Sequence, residues 1–427
     1  MRTVVLTAVI ASGALVVSPW LVALALLALA AVALVDLRSV RPPPVATREH
    51  PQVLARGVAS PFKVTAHGPP AARLRVRQPL PPDIGLTLPP GEGKTLPPGV
   101  GKTLPDAGGE RIDGELVARR RGRHTLPAIV VRQTGPLGLM RRDHRSAGQS
   151  ELLVYPDLPA ARRLAHSVRT GAFRDDGKVR GELGLGTDFE HIGEYGPDDD
   201  IRHVNWPATN RVGRPMSNRY REDRDREVMC VVDAGRLMAS PVGDGTRLDT
   251  VLDAVAAVAA VADVMGDRIG VIAYDREVRT ELRPRRDGGR ATVRALFDLE
   301  PSPVESDHER AFHRVAGGKR RLVIVFTDML DEQAASFLID SVPVLTRRHA
   351  VLIAGVADDD ISALLTAEPD GPIAVYRASV AAEMTDGRDR VAARLRRTGT
   401  SVVDAPADQL SSRTVGAYLR LKSRARL

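Results

Sequence analysis

The feature that most constrains this chain is a strand followed by a helix near its middle. Residues 227–233 end in the run VMCVVD, apolar until it stops on the Asp233 carboxylate. Ala234 and Gly235 follow, and 248–265 is so rich in Ala and Val that both flanks of a helix there suit burial. A strand with no polar alternation belongs in a mostly parallel sheet covered on both faces. The pattern continues downstream. Strands are expected over 227–233, 268–274, 278–282, 321–327, 350–356 and 401–404, with helices over 248–265, 290–299, 332–346, 379–398 and 408–421. Sheets of this kind hold ligands at the carboxyl ends of their strands.

The other end of the chain reads differently. Residues 3–35 are almost unbroken apolar sequence, which as one helix would measure about 50 Å against a bilayer core of about 30 Å. A break at Pro19 gives two spans, 3–17 and 20–35, with Trp20 at the interface. Arg2 lies before this hairpin, and Arg38, Arg41 and Arg48 lie after it. The excess of positive charge at both ends predicts a multi-pass protein of the plasma membrane, with both termini and the soluble domains cytoplasmic. A single tilted or kinked anchor is the second reading, and a cleaved signal peptide fits less well, because the apolar run is about twice a normal signal core.

Between these regions, 42–157 alternates short β-type runs with Pro and Gly, which predicts a small β-sandwich. Strands are expected over 59–66, 72–78, 115–119, 128–132 and 151–155. An eight-residue repeat, TLPPGEGK then TLPPGVGK, fills the loop 87–105. Its GKT pieces do not make a phosphate loop, since Leu88 and Leu96 stand where the first glycine is required. Three domains result: 1–36 (transmembrane hairpin), 37–178 (β-sandwich-like) and 179–427 (α/β).

Composition narrows the function. The chain has 61 Lys and Arg against 53 Asp and Glu, a net charge of +8, and Lys occurs only six times. Clusters such as Arg119–Arg120–Arg121 have no stacking aromatics beside them, so nucleic acid is not the expected partner. Membrane lipid is. The single cysteine, Cys230, lies in the apolar strand and reads as an inert core thiol. The histidines show no H-E-x-x-H spacing. Asp198, Asp199 and Asp200 alternate over a short span with arginines including Arg202 and Arg211, a density that predicts an ion-pair network or a partner-docking surface. Trp206 is expected as a buried anchor of this segment.

Gly186, Phe189, Glu190, Glu194, Tyr195, Pro197, Asp199, Arg202, Trp206, Arg211 and Asp233 carry a resemblance to the domain-of-unknown-function 58 family. Gly193, Asp198 and Asn205 depart from its pattern. The turn-bearing segment RRRGRHTLPAIVVRQTGPLGLMRR resembles the same family. The resemblance implies a membrane protein with a von Willebrand factor type A-like domain, and an association with MoxR-type AAA+ ATPases in assembling or maturing other complexes.

The type A fold also implies a divalent-metal edge built from an Asp-x-Ser-x-Ser loop, a Thr or Ser, and a further Asp. Asp233, Ser306 and Asp328 match parts of it, but Gly235 and Leu237 replace both serines, and Arg236 adds a competing charge. Asp233 and Asp328 are therefore expected as remnants bonded to neighbouring loops or to Arg236. The alternative is a weak Mg²⁺ site completed by water. The expected function is a non-enzymatic, membrane-anchored adaptor; a metal-dependent hydrolase and an outward-facing envelope scaffold are the rivals.

Overall fold

The computed structural model describes residues 19–69, 73–88, 111–174, 188–196, 204–221, 225–329 and 332–423. The chain divides into two compact units, Met1–Tyr155 and Pro156–Leu427.

The first unit opens with helix α1 (Pro19–Ser39), which starts at the proline that marks the expected break. Proline is tolerated there because the first-turn N–H groups have no intrahelical acceptor. Trp20 is 84% exposed and Leu27 is 71% exposed, so the apolar side chains of α1 face outward all along its length. Its 21 residues span about 32 Å, close to the hydrocarbon thickness of a bilayer. Among the described residues this is one helix long and apolar enough to cross a membrane, where the sequence suggested two. The 3–17 half of the expected hairpin lies outside the described residues. The 20–35 half is longer than expected and ends at Ser39, because its last turn is held by protein.

That hold centres on Asp36, which is fully buried. Its carboxylate accepts hydrogen bonds from the backbone N–H groups of Leu137, Leu139 and Met140 at 3.0, 2.9 and 2.7 Å. A Cβ on Gly135 would collide with this carboxylate, so the turn depends on glycine there. The Gln133 side chain donates to the Ser39 carbonyl at 2.9 Å, and a His144 ring nitrogen lies 3.0 Å from the Val40 carbonyl.

The rest of this unit is β-structure: β1 (Val45–Glu49), β2 (Val53–Ala55), β3 (Ser60–His67), β4 (Arg73–Arg77), β5 (Ile84–Thr87), β6 (Arg111–Ala118), β7 (Gly122–Leu126), β8 (Ile129–Thr134), β9 (Arg141–Ser146) and β10 (Ser150–Tyr155). They form three sheets, ordered β1-β3-β6-β5, β2-β10-β7 and β4-β8-β9. Alternate residues point inward to one shared core that includes Phe62, Val64, Ile84, Leu116, Ile129 and Leu152. Of the repeat loop, Thr87 closes β5 and Leu88 is buried; 89–105 lies outside the described residues.

The second unit begins with α2 (Leu158–Arg169), capped by Asp157, whose side chain accepts from the Ala160 N–H at 2.9 Å. Then come β11 (Asp188–Glu194), α3 (Trp206–Val212) and β12 (Met216–Arg221), in which the two strands pair antiparallel. The main sheet comprises β13 (Glu227–Asp233), β16 (Arg268–Tyr274), β17 (Val278–Arg285), β18 (Leu322–Phe326), β19 (Ala350–Val356) and β20 (Ser401–Ala405). A short hairpin of β14 (Pro241–Val242) and β15 (Gly245–Thr246) follows β13. The helices are α4 (Arg247–Val264), α5 (Gly289–Leu296), α6 (His308–Ala316), α7 (Glu332–Ser341), α8 (Pro343–Thr346), α9 (Asp359–Thr366), α10 (Pro372–Arg397) and α11 (Leu410–Ser423).

The sheet order is β17-β16-β13-β18-β19-β20, parallel except for β17, which runs antiparallel to β16. Counting its strands along the chain, the order is third, second, first, fourth, fifth, sixth. The direction of winding therefore reverses between β13 and β18, and in such sheets the crevice for ligands opens beyond the carboxyl ends at that point. Helix α4 is buried over nearly all its length, as its Ala and Val content requires, and α2 packs on it within this unit.

Candidate functional site

Asp233 ends β13, and Asp328 follows β18 by two residues, so the two carboxylates flank the reversal point. Asp233 is buried, and its oxygens are engaged on both sides. Oδ1 accepts from the Gly235 N–H at 2.8 Å and from Ser306 Oγ at 2.5 Å, while Oδ2 accepts from Thr327 Oγ1 at 2.6 Å. Gly235 is required by this arrangement, because a Cβ there would collide with Ser306 Oγ. The loop thus trades a side-chain hydroxyl at 235 for one that reaches in from position 306.

Asp328 has a different neighbour. Arg247, 2% exposed, donates from Nη1 to Asp328 Oδ1 at 2.6 Å, and Arg388 Nη1 lies 3.7 Å from the same oxygen. Arg247 also donates to Asp358 at 3.3 Å, and Arg388 donates to both oxygens of Asp404 at 3.0 and 2.5 Å. Arg247 is the first residue of α4, after a capping box formed by Thr246 and Asp249. A cation at a helix N-terminus opposes the macrodipole, so the carboxylates from the ends of β18 and β19 must compensate it. Arg236 does not take part: it pairs with Glu305 at 2.6 Å on the surface.

An oxygen set of Asp233, Ser306, Thr327 and Asp328 has the chemistry for Mg²⁺. It does not fit one as arranged. The oxygens of Asp233 already accept three protein donors, and the place beside Asp328 where a cation would balance charge holds the Arg247 guanidinium. Nearby, Tyr274 OH and His308 Nδ1 lie 2.8 Å apart. Burial pushes the Tyr274 hydroxyl well above its ordinary value, reinforced by Asp233 and Asp307. Burial likewise lowers the His308 pKa, against the opposing pull of Asp233, Asp307 and Glu305. Burial pushes the Cys230 thiol up to about 12, which leaves it protonated and inert.

The expected docking residues divide. Asp198, Asp199, Asp200 and Arg202 lie outside the described residues. Trp206 is not the buried anchor expected from the sequence: it is 64% exposed, and Arg211 is exposed with it. The reason is local. Helix α3 has seven residues and buries only Ala208, while Asn205 caps its start by accepting from the Ala208 N–H. Val212 and Ile192 add exposed apolar surface to the same excursion.

Sequence reasoning missed Arg247, Arg388, Thr327 and the Tyr274–His308 pair. Two signals were present: Thr327 precedes Asp328 in the chain, and the T-x-x-D box fixes Arg247 at a helix start.

No curated protein matches the chain. Among solved structures, the PKD domain of an M14-like peptidase from a Thermoplasmatales archaeon aligns at 14% identity and a TM-score of 0.16, over 26% of this chain and 96% of that domain. The informative match is to the family described as "Protein of unknown function DUF58", over residues 191–401, which begins within β11 and takes in Trp206, Asp233, Ser306 and Asp328. With the segment around Trp206 and the strand-end carboxylates inside that match, the chain belongs to the DUF58 family.

Proposed function

We propose that this protein is a membrane-anchored, non-enzymatic interaction module that presents a von Willebrand type A-like domain to a cytosolic partner. The sheet order and its one antiparallel strand support the type A-like reading. The side-chain partners of Asp233 and Asp328 favour a structural role for both carboxylates. Anchorage rests on α1, and the cytoplasmic side on Arg38 and Arg41 just beyond its apolar stretch.

The observation that carries the docking role is the exposed Trp206. A tryptophan with most of its surface in water is the residue type most enriched at the energetic centres of protein interfaces. The family resemblance supplies the partner, a MoxR-type AAA+ ATPase, engaged in assembly or maturation of another complex. The test is co-purification of that ATPase with the full chain in mild detergent. Binding should fall at least about tenfold for Trp206→Ala, the scale of an interface centre. Lysine substitutions at Asp198, Asp199 and Asp200 should weaken it as well. Undiminished binding by both variants would remove this surface from the proposal.

A further inference from the structure

The sheet β4-β8-β9 carries an unusual outer face. Its register aligns three cross-strand rows: Arg73–Thr134–Arg141, Arg75–Arg132–Asp143 and Arg77–Val130–Arg145. Directly paired residues share a face, and the alternate positions Val76, Val131, Gln133 and His144 are buried inward. Six of nine outward positions are therefore arginine. Asp143 is the single carboxylate among them, and it is bound in a fork by Arg132 at 2.7 and 2.8 Å. Arg132 is neutralised by Asp143, and Arg75 and Arg77 have partners of their own, which leaves Arg73 and Arg141, on either side of Thr134, as the part of this face best suited to an anionic counterpart.

The place of this sheet in the fold says which counterpart. The turn joining β8 to β9 is the one whose N–H groups grip Asp36 at the end of α1. The row Arg73–Thr134–Arg141 abuts that turn, and exposed Arg38 and Arg41 flank the helix end. Leu137, at the turn, is 53% exposed. When α1 lies in a bilayer, an apolar side chain and a row of guanidinium groups are held at headgroup depth. Guanidinium matches phosphate oxygens in a two-pronged geometry.

We propose that this arginine face seats the β-unit on the membrane by binding the anionic phospholipid headgroups around α1. The inference rests on the anchorage reading above. The first row lies within the reach of a surface potential; the second and third follow at about 7 Å intervals along the strands.

The test uses the full chain reconstituted into phosphatidylcholine vesicles with and without phosphatidylglycerol, probed by phenylglyoxal modification of arginines and mass spectrometry. Arg73 and Arg141 should react about fivefold more slowly with the anionic lipid, the occupancy shift such a surface exerts on one basic residue. Arg348, exposed on the second unit, is the reference. High salt should erase the difference. Equal rates in the two lipids, with the chain resistant to alkaline carbonate extraction, would overturn the seating while leaving anchorage intact. Extraction by carbonate would overturn both. Protection of the same arginines by added RNA in detergent, without a lipid effect, would assign the face to nucleic acid and overturn the proposal.

Discussion

At the scale of single residues, Arg247 is a group whose removal is costly. It is buried against a buried carboxylate, so Arg247→Ala leaves Asp328 without its nearest countercharge. We expect a loss of about 3–5 kcal/mol in urea unfolding of the second unit, largely restored when Asp328 is made apolar in the same chain. His308 sets a pH dependence. Its folded pKa lies below the ordinary 6.5, so between the two values the unfolded chain binds the extra proton. Stability from this group is complete above about pH 6.5 and declines as the pH falls toward the folded value; His308→Gln should flatten that part of the stability profile. Asp233 and Asp328 could be found by reading, because each follows an apolar strand whose end is visible in the residues. Their partners could not: Arg247 and Asp328 are 81 positions apart, and only the folded sheet brings them together.

Among elements, legibility followed apolar pattern. Strands β13, β16 and β19 coincide with the expected ranges because their buried runs leave no choice of boundary. Strand β9, with the sequence RRDHRS, was not foreseen: only His144 points to the core, so it has no apolar rhythm to detect. The helix expected over 332–346 breaks into α7 and α8 at Pro343, whose ring cannot continue the ladder. Helix α10 begins at Pro372 rather than 379, and its early residues, including Ile373 and Tyr376, stand largely exposed. Burial alone would not have placed them in a helix. Exposure also fixes what Trp206→Ala should do to stability: a change within about 0.5 kcal/mol, measured by urea unfolding, while partner binding falls. A large loss of stability would mean the ring packs more closely than its exposure indicates.

For the whole molecule, Asp36 joins what the sequence divided into an anchor and a soluble domain. Reading placed the boundary at residue 36 because apolar sequence ends there, and the contact with a turn a hundred residues away has no local signature. Asp36→Ala should expose the amides of Leu137, Leu139 and Met140 to faster hydrogen exchange. It should cost the β-unit about 1–3 kcal/mol, read by thermal unfolding, as expected when buried donors lose their acceptor. In the membrane-anchored state proposed above, a helix fastened in this way has no slack. A flexible linker would let its cargo swing freely and absorb a pull, whereas this joint turns a sideways force on the β-unit into tilt of the helix among the lipids.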